Sequence, residues 1–341
     1  MSPWRGFRMI GVRNLERWPQ SFGACIALLC MAFSSLAQVP LSGDIRAHDP
    51  STMIKEGDRY YVFHTGLGIL EKYSTDLHLW HSAGRVFPDG PPAWTTNAVP
   101  TFGGRFWAPD IAFVNGQYRL YYSVSTFGKQ LSAIGLATSP SLAAAHWTDQ
   151  GPVIQSSTNT LYNCIDPAIL VDTNHGLWMV FGSYFDGIFL TQLDPATGKR
   201  ASTNSPLVCV AHNGSSAFHN TSEASYLYQA NGYYYLFLNF GKCCSGVDST
   251  YNIRVGRSTN VTGPYVDRDG TSLLKGGGSL LLQTSGRYIG PGHAGILHEN
   301  GTNWFTYHYY DGDDRGTPKL GLTQLHWTAD QWPALAEETH K

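Results

Sequence analysis

Asp49, Asp110, Asp166, Glu223 and His293 recur along the chain at intervals of 61, 56, 57 and 70 residues. Carboxyl groups gathered at one place can divide acid and base work. One is kept protonated by burial or by a neighbouring negative charge, while another stays ionised and activates water. Cleavage of a glycosidic bond needs that division, with an acid on the leaving oxygen and a base or nucleophile on the opposite face of the sugar. A third carboxylate beside the acid would supply the charge that keeps it protonated. Asp49, Asp166 and Glu223 are the candidates, and their pattern alone leaves open which takes which task.

The surrounding sequence says how residues so far apart could meet. Each of the five opens a similar run: a short apolar stretch, a Gly-containing turn, then an aromatic stretch. Examples are W-A-P-D-I-A-F-V-N-G-Q-Y-R-L-Y-Y-S around Asp110 and S-E-A-S-Y-L-Y-Q-A-N-G-Y-Y-Y-L-F-L-N-F around Glu223. Asn-Gly between β-prone runs predicts a tight hairpin. A second hairpin follows the first, as in I-G-L-A-T-S from Ile134, N-I-R-V-G-R-S from Asn252 and K-L-G-L-T-Q-L-H-W from Lys319. Two hairpins make one four-stranded blade, and a repeat of this length signals a repeat architecture. The expected fold is therefore all-β, a five-bladed β-propeller. Equivalent starts of the innermost strands converge on one mouth of the central channel, which would gather the five residues. A plainer reading of each Asp-Pro pair is a turn that begins a strand, but one repeated position in all five units favours convergence.

Residues 1–37 follow different rules. Arg5, Arg8, Arg13 and Arg17 precede the apolar run from Ala24 to Phe33, and Ser-Ser-Leu-Ala-Gln follows. This is the pattern of a secretory signal peptide, with cleavage expected near Ala37 and a run too short to span a bilayer. Residues 38–341 would then form a single catalytic domain, secreted or periplasmic, monomeric and free of the membrane. A net charge of −2 with 14% charged residues gives no field for nucleic acid. Aromatics at 13% leave some for stacking on a ligand beyond those that fill the blades. Cys25 and Cys30 fall in the leader. Cys164, Cys209, Cys243 and Cys244 remain, and whether they pair is not legible from sequence. The N-x-S/T sequons at Asn213, Asn220, Asn260 and Asn300 are read as chance.

The motifs H-D-P-S at Asp49, F-W-A-P-D-I at Asp110, C-I-D-P-A-I at Asp166, S-E-A-S-Y at Glu223 and Y-I-G-P-G-H at His293 resemble glycoside hydrolase family 43. The resemblance is nearest to its endo-1,5-α-L-arabinanases. G-S-Y-F-D-G-I (182–188), C-C-S-G-V-D-S-T-Y (243–251), V-T-G-P-Y-V-D-R-D-G (261–270) and H-Y-Y-D-G (308–312) extend it from about Gly43 to Pro333. The resemblance implies an inverting hydrolysis of α-1,5-linked arabinan. In that mechanism Asp49 would be the general base, Glu223 the general acid, and Asp166 the residue that raises and orients the acid. It also implies that His293 holds calcium or another small cation in the channel, with waters completing a shell that calcium prefers to build from oxygen. Trp107 is a candidate sugar platform, with Asp110, Tyr184 and Phe185 as further substrate contacts. For Asp110 a structural hydrogen-bonding role in its blade is the favoured alternative. Tyr184-Phe185 stands where many relatives carry Phe-Trp, so endo and exo cleavage both stay open.

Three rivals are set against this reading. Retaining β-fructosidases share the propeller but would show N-D-P-N, R-D-P and E-C, where this chain has H-D-P-S, I-D-P and S-E-A. A carbohydrate-binding propeller without activity would be expected to have lost a carboxylate. Exo-acting arabinanase, arabinofuranosidase or xylosidase activities remain within the family.

Overall fold

The hairpin turns come first, because their chemistry is local. Asn115-Gly116, Asn231-Gly232 and Asn300-Gly301 have φ of 52° and 77°, 52° and 78°, and 50° and 78°. Positive φ at both central residues is the twist-matched hairpin turn that Asn-Gly tolerates best. In the computed structural model, which describes residues 37–202, 205–214 and 221–336, these turns close the inner hairpins of three of five blades. Residues 1–36 of the expected leader, with Cys25 and Cys30, and Asn220 lie outside the described residues.

From the channel outwards, blade I is Ile54–Glu56, Arg59–His64, Leu70–Ser74 and Leu79–Arg85. Blade II is Arg105–Val114, Gln117–Val124, Ser132–Ser139 and Thr148–Ser156; blade III is Ala168–Val171, Leu177–Phe181, Ile188–Leu193 and Val208–Ala211. Blade IV is Glu223–Ala230, Tyr233–Phe240, Asn252–Ser258 and Ser279–Leu282; blade V is Tyr288–Glu299, Thr302–Asp311, Thr317–Trp327 and Pro333–Leu335. Neighbouring strands within these four-stranded cores are antiparallel. The expected five-bladed propeller is the observed fold, and the three second-hairpin segments named from sequence lie in the third strands.

The core lies between blades, which explains why every blade is aromatic on both faces. Phe87, Phe106 and Tyr122 fill the seam of blades I and II. Tyr121 and Met179 share the next seam, and Phe237 meets Phe305 between blades IV and V with ring centroids 6.2 Å apart. Burying a side chain of this size contributes roughly 2–3 kcal/mol. The ring closes between blades V and I through the first described segment. Val39 donates its amide to Leu322 at 2.8 Å, Leu320 donates to Ile45 at 2.8 Å, and Ser42–Gly43 pairs in parallel with Leu79 and Trp80. Trp80 and Val62 of blade I pack with Leu320 and Leu322 of blade V beneath that segment.

Candidate active site

One left-handed residue stands at the channel mouth in each blade: Asp49 (φ 49°), Ala108 (42°), Asp166 (56°), Ala224 (48°) and His293 (63°). Non-glycine residues in this region are uncommon and strained, and they persist where the surrounding structure over-determines them. In blades II, IV and V the residue sits inside a register break of the inner hairpin, between Trp107 and Asp110, Glu223 and Tyr226, and Gly292 and Gly295. A bulge of this kind re-aims side chains at the end of a strand. The five polar residues read from sequence are therefore not at one equivalent backbone position. Asp110 follows its bulge residue by two and Glu223 precedes its own by one.

What over-determines these residues is a ring of hydrogen bonds from blade to blade. The Asp49 amide donates to His308 Nδ1 of blade V at 3.2 Å, and the Ala108 amide to Thr65 Oγ1, at the end of blade I, at 2.9 Å. The Asp166 amide donates to Ser123 Oγ of blade II at 3.0 Å, and the His293 amide to Asn239 Oδ1 of blade IV at 3.1 Å. In these four cases the acceptor belongs to the preceding blade, at or near the end of its second strand. The fifth differs: the Ala224 amide donates to Asp166 Oδ2 at 3.1 Å. Ser183, which follows the second strand of blade III, instead donates its hydroxyl to Glu223 Oε2 at 2.6 Å.

The three carboxylates meet at this mouth with different charge states. Asp49 is half-buried. Burial pushes its carboxyl up, but the adjacent His48, first among the groups that lower it, outweighs burial and the carboxyl is held well below the ordinary range. His48 Nδ1 lies 2.7 Å from Asp49 Oδ2, and Thr65 donates its hydroxyl to the same oxygen at 2.8 Å. Asp166 and Glu223 are buried. Burial raises both, and the charges of Glu223 and Asp49 raise Asp166 further, well above its usual value. For Glu223 burial dominates, the Ser183 and Tyr251 hydroxyls pull the other way, and the charge of Asp49 adds to the rise. Tyr251 donates to Glu223 Oε1 at 2.6 Å. Two buried carboxyls that repel each other keep a shared proton to higher pH than either would alone. The mouth thus holds one ionised carboxylate and a proton-retaining pair.

The remaining sequence candidates fall in different places. Asp110 accepts the Thr52 amide at 2.9 Å and the Ile169 amide at 2.8 Å, one on each oxygen, and so ties the inner segments of blades I and III to blade II. Burial pushes its carboxyl up to about 6 against those two bonds. Trp107 is half-buried beside the bulge residue Ala108. Tyr184 and Phe185 are consecutive left-handed residues (φ 54° and 44°) in the turn after Ser183. The Tyr184 amide reaches the Ser222 carbonyl at 3.1 Å, and its phenol is raised by burial and by the charge of Glu223. Cys243 and Cys244, adjacent in sequence, form a disulfide, while Cys164 and Cys209 are free thiols.

The histidines around Asp49 differ in their fitness for the expected cation. His48, Asp49 and His308 place ligand atoms within 4.8 Å of one another, but both Nδ1 atoms are engaged, one on the Asp49 carboxylate and one on its amide. His293 differs. Its Nδ1 stands 3.5 Å from Asp49 Oδ1, and burial lowers its pKa, so the ring is a neutral ligand. A neutral imidazole with no hydrogen bond from the described residues, beside an ionised carboxylate, suits a cation whose other ligands are water.

Sequence reasoning had assigned no role to His48, Thr65, Ser183, Tyr251, His308 or Tyr310. For Thr65, Ser183, His308 and Tyr310 a signal was present, since each aromatic second strand ends in or near a polar residue, as in V-F-H-T, L-Y-Y-S, V-F-G-S, F-L-N and Y-H-Y, whereas His48 and Tyr251 lie outside those strands.

A five-bladed propeller with an ionised carboxylate beside a proton-sharing pair at its channel mouth has the acid–base apparatus of a propeller hydrolase. The chain belongs to glycosyl hydrolases family 43, whose model matches residues 43–333. It is 44% identical to the extracellular endo-α-(1→5)-L-arabinanase 1 of Bacillus subtilis, over 84% of this chain and 87% of the relative. It is 38% identical to the extracellular exo-α-(1→5)-L-arabinofuranosidase ArbA of Cellvibrio japonicus, over 95% and 94% of the two chains. Its fold matches the solved Cellvibrio cellulosa α-L-arabinanase in complex with arabinohexaose at a TM-score of 0.80 and 37% identity, covering 88% of this chain and 96% of that one.

Proposed function

We propose that this protein is an inverting endo-1,5-α-L-arabinanase, a secreted glycosidase of arabinan chains. The observation that carries the reading is the split in charge state at the mouth, with Asp49 ionised and the Asp166–Glu223 pair retaining a proton. In the proposed step Asp49 takes a proton from water, whose oxygen forms the new bond to the anomeric carbon. The glycosidic C–O bond breaks, and Glu223 gives its proton to the leaving oxygen. Asp166 anchors the backbone beside Glu223, and in the productive state of the pair the shared proton sits on Glu223 and the negative charge on Asp166. Trp107, Tyr184 and Phe185 would offer faces for the sugar. Secretion is supported by the leader-like first residues and by relatives named extracellular.

His293 would hold a small cation, calcium in the first instance, with waters as its other ligands. Bound there, the ion would offset the negative charge of the carboxylates and order water in the channel. Metal analysis of unchelated protein should find about one ion per chain, and His293→Ala should lose it; an equal metal content in both would remove this assignment.

Single displacement by water inverts the anomeric centre. Proton NMR in the first minutes of hydrolysis should therefore find β-arabinofuranose before mutarotation, and initial release of the α anomer would refute the mechanism. The second reading, exo cleavage, is favoured by the exo-acting Cellvibrio japonicus relative. Chromatography of linear arabinan digests separates the two: mixed oligomers mean endo attack, a single small product means exo.

A further inference from the structure

His48, Tyr310 and Cys244 come from three blades or their loops and meet behind Asp49. Cys244 lies in the loop between the second and third strands of blade IV, and its amide donates to Tyr310 Oη at 2.7 Å. Tyr310 Oη lies 2.7 Å from His48 Nε2, and His48 Nδ1 lies 2.7 Å from Asp49 Oδ2. An amide N–H can only donate, so the phenol oxygen accepts from it and turns its own proton towards His48 Nε2. A tyrosine raised by burial and by the charge of Asp49 keeps that proton. With Nε2 accepting, Nδ1 carries the ring proton and donates to Asp49 Oδ2, the oxygen that also accepts from the Thr65 hydroxyl. In this arrangement, with Ser249 as a further polar neighbour of the phenol, the order runs in one direction from end to end. Stacking against His308, with ring centroids 4.4 Å apart, holds the His48 plane.

We propose that Cys244, Tyr310 and His48 form a one-way hydrogen-bond relay that positions Asp49 and leaves its Oδ1 as the oxygen that takes the proton from water. The inference rests on Asp49 being the general base. Oδ2 already receives two donors, from His48 and from Thr65 at 2.8 Å. Among the described residues Oδ1 receives none at hydrogen-bond distance, with His293 Nδ1 at 3.5 Å and His308 Nδ1 at 3.6 Å. His48 and Tyr310 are positioning residues in this scheme, since neither needs to touch the sugar. The relay begins at a backbone amide that the Cys243–Cys244 disulfide holds in place: Cys244 is itself left-handed (φ 62°), and the bond between adjacent cysteines closes a small ring around that turn.

The test uses the full chain and two substrates, linear arabino-oligosaccharide and an aryl arabinoside with a good leaving group. Tyr310→Phe should lower kcat about tenfold on both with KM within about twofold, because water must be activated whatever the leaving group. Circular dichroism and thermal melts establish that the variant is folded. Reduction with a phosphine, followed by mass spectrometry until both thiols are found, should lower wild-type kcat severalfold and leave Tyr310→Phe unchanged. A folded Tyr310→Phe with wild-type kcat, a loss confined to KM, or a wild-type kcat untouched by reduction would overturn the relay; so would equal sensitivity of both proteins to the reductant. Asp49→Asn separates this from failure of the base reading. If Asp49→Asn is inactive while Tyr310→Phe is normal, the relay alone fails; if Asp49→Asn keeps wild-type kcat, the base reading fails and the relay with it.

Discussion

Asp166 Oδ2 accepts the amide of Ala224 at 3.1 Å, a bond that elsewhere in the ring is supplied by a side chain at or near the end of the preceding blade's second strand. Asp166 therefore does two things with one carboxyl. It completes the blade-to-blade ring between blades III and IV, and it sets a carboxyl against the residue next to Glu223. The substitution also releases Ser183, whose hydroxyl turns to Glu223. The irregularity in the five-fold pattern thus falls at the residue proposed as the acid, in keeping with local rules being broken at functional sites.

The ring makes opposite predictions for its two neighbours of Glu223. Asp166→Asn keeps an acceptor for the Ala224 amide but ends the coupling of the two carboxyls, so Glu223 alone gives up its proton at lower pH than the pair does. The alkaline limb of kcat/KM, set by loss of the acid's proton, should move to lower pH. Ser183→Ala removes a donor that favours ionised Glu223, so that limb should move to higher pH, by about one unit for one hydrogen bond to a charged group. Rate profiles on arabinan check both. Shifts in the same direction would separate the two residues from the acid.

Glu223→Ala should lose activity on arabinan by on the order of 10²–10⁴-fold. On an aryl arabinoside whose leaving group needs no proton the loss should be much smaller. Steady-state kinetics on the two substrates decide it: equal losses would move the acid role to another residue.

The propeller was legible because its signals are local and repeated. Asn-Gly turns and apolar-then-aromatic runs recur in order, and they need no knowledge of the channel. Asp49, Asp166 and Glu223 were legible as residues for the same reason, since they open those runs. Their backbone equivalence was not. The left-handed residues recur at 59, 58, 58 and 69 residues, a more even set than the carboxylates, yet Ala108 and Ala224 carry no chemistry that draws the eye. Asp110 showed the cost of reading the pattern by residue type alone, because its two oxygens are spent on backbone amides. The relay through His48 and Tyr310 joins residues 262 apart, and a contact between the first and last blades has no local trace. The Cys243–Cys244 bond was equally hidden, since adjacency in sequence says nothing about pairing.

Asp110 is best tested through stability. Asp110→Asn turns one acceptor oxygen into an NH₂ that must face either the Thr52 or the Ile169 amide. Leaving one such buried donor unsatisfied costs about 1–3 kcal/mol. Urea unfolding should show that loss, while the kcat of folded protein should stay within about twofold of wild type. Unchanged stability with a raised KM would make Asp110 a substrate contact after all.

The last prediction concerns a carboxyl away from the channel. Glu71, in the third strand of blade I, is 2% exposed, and its Oε2 has no hydrogen-bond partner among the described residues. Burial pushes its carboxyl up to about 8, against about 4.3 in an unfolded chain. A group raised on folding binds its proton more tightly in the native state. Its contribution is therefore intact below about pH 4.3 and is lost progressively as pH rises to about 8, where the native protein must ionise a buried acid. By pH 7 the loss amounts to on the order of 2–4 kcal/mol relative to acid conditions. Glu71→Gln keeps the shape without the titration, so its unfolding free energy should fall less than that of wild type between pH 5 and pH 8. The new amide also needs a partner, which trims the gain in absolute stability at neutral pH. Urea titrations at several pH values give the slope directly. Parallel curves for the two proteins would mean that Glu71 is already ionised at neutral pH, with water reaching its carboxyl through the blade.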